Sequence, residues 1–264
     1  MSKFTKAEKV IIMNKIFNLV NNNYSAREIS EYLNISMSTV YRCCNEMNIK
    51  IPNHHNILKF DNTVFDNIDT EEKAYWLGFL YADGNVGLKN NVITLTLAEK
   101  DREHIQKFNA FLKNGGKIYS KKCGKYKSCS LSVCNKYFRE RLISLGCIPQ
   151  KSLVLQFPNL SIFQDSNLVY DFIRGYVDGD GCLTFSRCGR LSINILGTKE
   201  FLNGILSIFP NLFTLHKLKR LKSNVWILRN CGKNADFVST KLYKNANIYL
   251  ERNYNRCVVL CRNV

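Results

Sequence analysis

The chain has 264 residues, 45% of them hydrophobic and 12% aromatic, with 38 Lys+Arg against 21 Asp+Glu for a net charge of +17. That is apolar material for one large domain or two modest ones plus a small module, which excludes disorder over the whole chain. A surface this basic attracts polyanions, nucleic acid first among them. No run of about 18 uninterrupted apolar residues occurs, so no membrane span is expected. The opening M-S-K-F-T-K-A-E-K lacks the apolar core and cleavage site of a signal peptide. The cysteine count, 11, is odd and contains no C-x-x-C pair. Free thiols in a reducing compartment are therefore expected, several of them on buried strand faces, in the cytoplasm of a host cell or an organelle matrix.

Residues 5–22 read as a helix, with Thr5 as N-cap and Val10, Ile11, Met13, Ile16, Phe17 and Val20 at helical spacing. Ser25 caps a second helix with Ile29, Tyr32 and Leu33 inward. Asn34 makes the turn, and Ser36 or Ser38 caps a third helix carrying Val40, Arg42 and Met47. The string S-A-R-E-I-S-E-Y-L-N-I-S-M-S-T-V-Y-R is similar to a helix-turn-helix, whose second helix would present Ser36, Ser38, Thr39 and Arg42 to DNA. Residues 1–66 hold 8 basic and 6 acidic side chains, a net +2, so this module is not the main electrostatic anchor. The expected division is a helix-turn-helix module over 1–50, a linker over 51–68, and two repeats over 69–160 and 161–264.

The repeat is the most informative feature. A-Y-W-L-G-F-L-Y-A-D-G (74–84) aligns with D-F-I-R-G-Y-V-D-G-D-G (171–181) at an offset of 97. Gly78 falls on Gly175, Asp83 on Asp180, Gly84 on Gly181, Asp101 on Thr198 and Glu103 on Glu200. The last two pairs suit an N-cap and an acid in the first helical turn. Tyr75, Trp76, Leu77, Phe79 and Leu80 make a helix apolar nearly all round, hence buried. Gly78 and Ala82 in one copy, and Gly175 and Gly179 in the other, stand four apart on one helix face. Bare faces let the two helices pack closely, which would bring Asp83 and Asp180 to adjacent ends beside Gly84 and Gly181. Paired carboxylates there suit a hard divalent cation, Mg²⁺ or Mn²⁺.

Between the motifs, strands alternate. Ile93, Leu95 and Leu97 share one face and Thr94 and Thr96 the other; Leu191, Ile193 and Ile195 point in, and Arg190, Ser192 and Asn194 out. Each repeat thus reads helix, hairpin, helix, hairpin, helix. Residues 113–151 hold ten Lys/Arg and one acid, and residues 182–264 hold fourteen and three. Basic charge therefore gathers on the hairpins and closing segments, where phosphates would lie. Lys121, Lys127, Arg190, Ser192, Asn194, Lys217 and Lys219 are the candidate DNA contacts.

In W-L-G-F-L-Y-A-D-G (76–84) and I-R-G-Y-V-D-G-D-G (173–181) the chain resembles the LAGLIDADG homing endonucleases. G-C-I-P-Q-K-S-L (146–153), G-T-K-E-F-L (197–202) and L-Y-K-N-A-N-I-Y-L-E-R (242–252) are similar to further segments of that family, and the resemblance covers about residues 68–256. Tyr81 stands where the motif has its first Asp, and the second Asp is present in both copies. The resemblance implies an α+β fold of two pseudo-symmetric αββαββα repeats, whose sheets form a saddle in successive major grooves, beside a small all-α module. It implies a monomeric, metal-dependent double-strand DNA endonuclease acting at a long, nearly asymmetric target, as in intron homing by mobile elements. Asp83 and Asp180, with the Gly84 and Gly181 backbone, would hold metal. Lys151 would act on the attacking water, with Arg252, or alternatively Lys244, as its counterpart. An RNA maturase acting on intron RNA and a non-catalytic DNA-binding regulator are the rival readings, against which both retained acids argue.

Overall fold

The two motif helices approach each other closely because Gly78 and Gly175 leave no side chain where their backbones meet. This is seen in a computed structural model that describes residues 5–22, 24–51, 60–218 and 225–261. The chain divides into two units, Met1–Leu58 and Lys59–Val264.

The first unit holds α1 (Lys6–Asn21), α2 (Ala26–Leu33) and α3 (Met37–Glu46). Thr5 with Glu8, and Ser25 with Glu28, form capping boxes that satisfy the first free N–H groups of α1 and α2. Asn34 ends α2 in the left-handed region at φ 52°, and Ser36 caps α3 through the Thr39 N–H. Ile16, Val20, Ala26, Ile29, Val40, Cys43 and Cys44 are the core. Val10, Ile11, Phe17 and Tyr32, expected among the inward positions, are exposed, Tyr32 at 73%. Three short helices can each bury only one stripe, and α1 carries more apolar residues than its stripe holds.

Part of the expected linker belongs to the second unit. Residues 52–59 lie outside the described residues, but Val64, Phe65 and Ile68 are buried in its core. Phe65 stacks on Phe138 with ring centroids 5.8 Å apart, and Arg141 donates to the Phe65 and Asp66 carbonyls. The segment is aperiodic because it is an irregular strap rather than because it is solvated.

The second unit runs α4 (Glu71–Asp83), β1 (Gly84–Val86), β2 (Val92–Ala98), α5 (Arg102–Phe111), β3 (Tyr119–Cys123), β4 (Tyr126–Cys134) and α6 (Lys136–Ser144). It then repeats the pattern as α7 (Leu168–Asp180), β5 (Gly181–Phe185), β6 (Leu191–Gly197), α8 (Lys199–Ile208), β7 (Thr214–Lys217), β8 (Trp226–Cys231) and α9 (Lys233–Tyr243), and closes with α10 (Glu251–Cys261). Both antiparallel sheets have the same order, β1-β2-β4-β3 and β5-β6-β8-β7. The fold is thus two αββαββα repeats. Helices α4 and α7 lie side by side at the centre, with Ala74 to Tyr81 and Phe172 to Asp178 buried. A Cβ on Gly78 would collide with the Phe172 carbonyl, and one on Gly175 with the Tyr75 carbonyl. Tyr75 and Phe172 are themselves equivalent positions, so the contact obeys the internal two-fold. Among the described residues no helix is long and apolar enough to cross a membrane.

Candidate active site and nucleic-acid interface

Helices α4 and α7 stop at the same place for the same reason. Asp83 and Asp180 are their last residues, and Gly84 and Gly181 follow in extended conformation as the first residues of β1 and β5. Glycine is required there by crowding and not by a positive φ: a Cβ would strike Leu80 O at one end and Val177 O at the other. The small residues just before the acids set their approach. A Cβ on Gly179 would strike Ala82 and come within 3.2 Å of Asp83 Oδ2. The Asp83 carboxylate therefore leans over the bare end of α7.

Both acids are half-buried. Burial, and then the charge of Asp180, push Asp83 up to about 6, while Lys151 and Arg252 draw it back. Burial also raises Asp180, opposed by Lys151 and the Tyr176 hydroxyl. Neither carboxylate forms an ion pair with a described residue, so the pair favours added positive charge. Among the described residues no third His, Cys, Asp or Glu joins them. A cation held here would take the rest of its shell from water and substrate oxygens. That fits a small hard ion such as Mg²⁺ or Mn²⁺ and not a four-ligand zinc site. The Gly84 carbonyl accepts a hydrogen bond from the Lys151 ammonium.

Two equivalent positions clamp the basic residues across the repeat boundary. Thr198 caps α8 through the Phe201 N–H at 3.1 Å and also donates to Leu155 O, fixing the segment that follows Lys151. Asp101, expected as the matching N-cap, makes no capping bond. It faces Arg252 Nε at 3.4 Å instead. Arg252 is further held by Asn253 Oδ1 at 3.3 Å and Asp178 O at 3.5 Å. Lys151 and Arg252 thus each carry charge towards the paired acids, Lys151 held by the Gly84 carbonyl of its own repeat and Arg252 facing Asp101 of the opposite one. Lys244, the alternative counterpart, is the C-cap of α9.

The position that differs between the motifs has a structural consequence. Tyr81 donates to Leu145 O, whereas its equivalent, Asp178, is fully buried and accepts four hydrogen bonds. They come from Tyr75 Oη (2.8 Å), Tyr243 Oη (2.7 Å), Leu250 N (2.7 Å) and Asn253 Nδ2 (2.9 Å). Tyr75 Oη also lies 2.9 Å from His104 Nε2. The hydroxyl has one proton and gives it to Asp178, so His104 Nε2 is the donor to Tyr75. Burial, with Lys107 and Arg252 nearby, lowers His104 to about 3, which keeps it neutral. This network ties both repeats to the start of α10 and hence to Arg252. No periodicity points to it, because its members are far apart in sequence.

Register sorts the candidate DNA contacts by face, since directly opposed residues in neighbouring strands share a face. In the first sheet Thr94 pairs with Ser132 and Thr96 with Ser130; Ser130 also pairs with Tyr119, and Ser128 with Lys121. These form the polar face, opposite buried Ile93, Leu95 and Leu97. Lys127 pairs with Lys122, in line with buried Cys129, so it stands on the other face from Lys121. In the second sheet Asn194 pairs with Cys182 and Arg229, and Ser192 with Thr184 and Cys231. Arg190 precedes this row and is exposed. Lys217 pairs with Trp226, on the face of Leu215 and Leu228, so alternation removes it from the polar row. Lys219 lies outside the described residues. Arg229 and Thr214 belong to the polar row and were missed; the alternation of W-I-L-R-N-C carried the signal for Arg229. In the first unit Ser36 Oγ lies 2.8 Å from Ser38 Oγ and 2.9 Å from Thr39 Oγ1, and Arg42 is exposed on the same helix. Of the cysteines on strands, only Cys129 is buried; Cys123, Cys134, Cys182 and Cys231 are exposed, contrary to expectation.

Motif and architecture together resemble the LAGLIDADG homing endonucleases. No family model matches the sequence, and no curated protein matches it. Among solved structures the chain is similar to the meganuclease I-SmaMI bound to uncleavable DNA, at 13% identity and a TM-score of 0.47, over 72% of this chain and 90% of that one. It is also similar to the LAGLIDADG homing endonuclease I-GzeII in complex with its DNA target, at 12% identity and 0.48, over 69% and 87%. A third, the LAGLIDADG homing endonuclease I-LtrWI bound to target DNA, gives 13% and 0.48, over 74% and 91%.

Proposed function

We propose that the protein is a site-specific, metal-dependent endonuclease that cuts both strands of a long, nearly asymmetric DNA target. The observation that carries this reading is the meeting of two half-buried acids, Asp83 and Asp180, at the ends of helices packed through glycine, with a basic, polar-faced sheet in each repeat. One chain supplies both acids, so a monomer suffices. Rows such as Thr94, Thr96 and Ser130 in one sheet and Ser192, Asn194 and Arg229 in the other offer donors and acceptors for base edges. The two rows differ, which gives an asymmetric target.

Asp83 and Asp180 would hold Mg²⁺ or Mn²⁺, each carboxylate serving mainly one strand. The bound cation supplies Lewis-acid stabilisation of the scissile phosphate and acidifies water. Lys151 and Arg252 hold positive charge beside the acids, where they orient the attacking water and balance charge on the phosphate. The first unit extends the footprint through Ser36, Ser38, Thr39 and Arg42, as linked binding modules do.

The test is cleavage of a randomised duplex library in Mg²⁺ by the protein and by Asp83→Asn and Asp180→Asn variants. Cuts at one long motif, lost in both variants and in EDTA, are expected. Salt-sensitive binding to duplex without cutting would replace this reading with a regulator, and selective binding of intron RNA would replace it with a maturase.

A further inference from the structure

The exposed cysteines of the two sheets all occupy one kind of position. Cys123 pairs with Tyr126 and Cys134 with Val92, which puts both on the polar face of the first sheet. Cys182 pairs with Asn194, and Cys231 with Ser192, on the polar face of the second. Alternation could have sent any of the four to the helix-covered side, where Cys129 lies; none goes there. A fifth, Cys188, sits in the turn joining β5 and β6, two residues before Arg190. Its Sγ lies 3.1 Å from Ser186 Oγ, and the space at the adjacent Gly189 is open. The Ser186 hydroxyl and the Arg190 backbone lower the Cys188 thiol below its usual range, which favours its thiolate. The structure holds no exposed acid in the Cys182–Asn194–Arg229 row to repel an anionic reagent.

We infer that this face is a thiol-modification surface, at which a disulfide of a small anionic thiol such as oxidised glutathione forms mixed disulfides and so switches off nucleic-acid binding. The inference rests on the reading that the polar faces bind DNA. In each exchange a cysteine thiolate attacks one sulfur of the glutathione disulfide. The S–S bond of the reagent breaks, a protein–glutathione S–S bond forms, and the second glutathione leaves as its thiolate. No other oxidant is needed. The adduct places a bulky group of net negative charge beside Asn194, Ser192 and Arg190, and so opposes both contact with base edges and attraction to phosphate. Cys188 reacts first, being at an open hairpin tip with its thiolate favoured. The same exchange run backwards by a reducing agent restores the surface.

The experiment uses the full chain and a fluorescently labelled pool of random-sequence duplexes, with binding read by anisotropy at low salt in EDTA. Oxidised glutathione is expected to weaken binding about tenfold or more, roughly the loss of one or two phosphate contacts, and dithiothreitol to restore it. Mass spectrometry should place the first adduct on Cys188. Duplex should slow alkylation of Cys134, Cys182 and Cys231 by iodoacetamide. In a variant with Cys123, Cys134, Cys182, Cys188 and Cys231 all changed to Ser, the ratio of oxidised to reduced affinity should be one. Protein with adducts at these positions and unchanged affinity overturns the inference and leaves the endonuclease reading standing. Reduced protein that fails to bind any duplex overturns both.

Discussion

Replacing Asp83 by Asn should make the metal-free protein more stable while abolishing cleavage. Burial, and then the charge of Asp180, push Asp83 up to about 6 in the fold from its ordinary 3.8. Its folded value lies above the unfolded one, so the proton stabilises the fold. That stability is complete below about pH 3.8 and is lost as pH rises through about 6. At roughly 1.4 kcal/mol per pH unit the charged carboxylate therefore costs up to about 3 kcal/mol at pH 8. Asn has the same shape without the charge. For a unit of this size that is a rise in melting temperature of up to roughly 10 °C in EDTA. The gap between variant and parent should shrink to about 1 kcal/mol at pH 4.5, where Asp83 is protonated in the folded parent but still mostly ionised when unfolded, and it should vanish well below pH 3.8. His104 acts in the opposite sense in the same window, since its folded value is lowered and its stabilisation falls as pH drops below the usual histidine range. It acts equally in both proteins, so the difference isolates Asp83. Thermal melts of parent and variant at pH 4.5 and 8, with and without Mg²⁺, are the assay. Mg²⁺ should raise the melting temperature of the parent far more than that of the variant. A gap that is absent at pH 8, or equal at both pH values, would refute the electrostatic reasoning.

Three further outcomes follow from the packing around the acids. Gly175→Ala drives a methyl into the Tyr75 carbonyl and to 2.8 Å from Phe79 N, backbone atoms that cannot rotate away; a loss of about 3 kcal/mol is expected, read as the denaturant midpoint. Tyr75→Phe removes one of the four donors to Asp178 and leaves His104 Nε2 without its acceptor. It should cost about 2 kcal/mol, and a double-mutant cycle with Asn253→Ala should be non-additive. Asp101→Asn removes the charge facing Arg252. It should slow cleavage of one strand about fivefold, the equivalent of roughly 1 kcal/mol, seen by labelling each strand in turn. Equal slowing of both strands would mean that Arg252 is not tied to one acid.

By itself the sequence determined the doubled architecture, the buried pair of motif helices and the two acids. Each of these is a local pattern: a run apolar nearly all round over 75–80, glycine or alanine four apart, strict alternation over 93–97 and 191–195, and Asp-Gly at a helix end. Tertiary structure alone decided which partner each polar group meets. Asp101 has the spacing of an N-cap, yet its side chain turns to Arg252, about 150 positions later in the chain. Lys127 and Lys217 have the right charge but the wrong parity, which only strand register reveals. The aperiodic stretch after residue 60 carries no period because it packs as a strap, so its burial was invisible to pattern. Asp178, His104 and Tyr75 came together because close packing of α4 on α7 leaves their polar atoms no water to bond, so Tyr75 bonds Asp178 across the repeat boundary and takes a hydrogen bond from His104 of its own repeat.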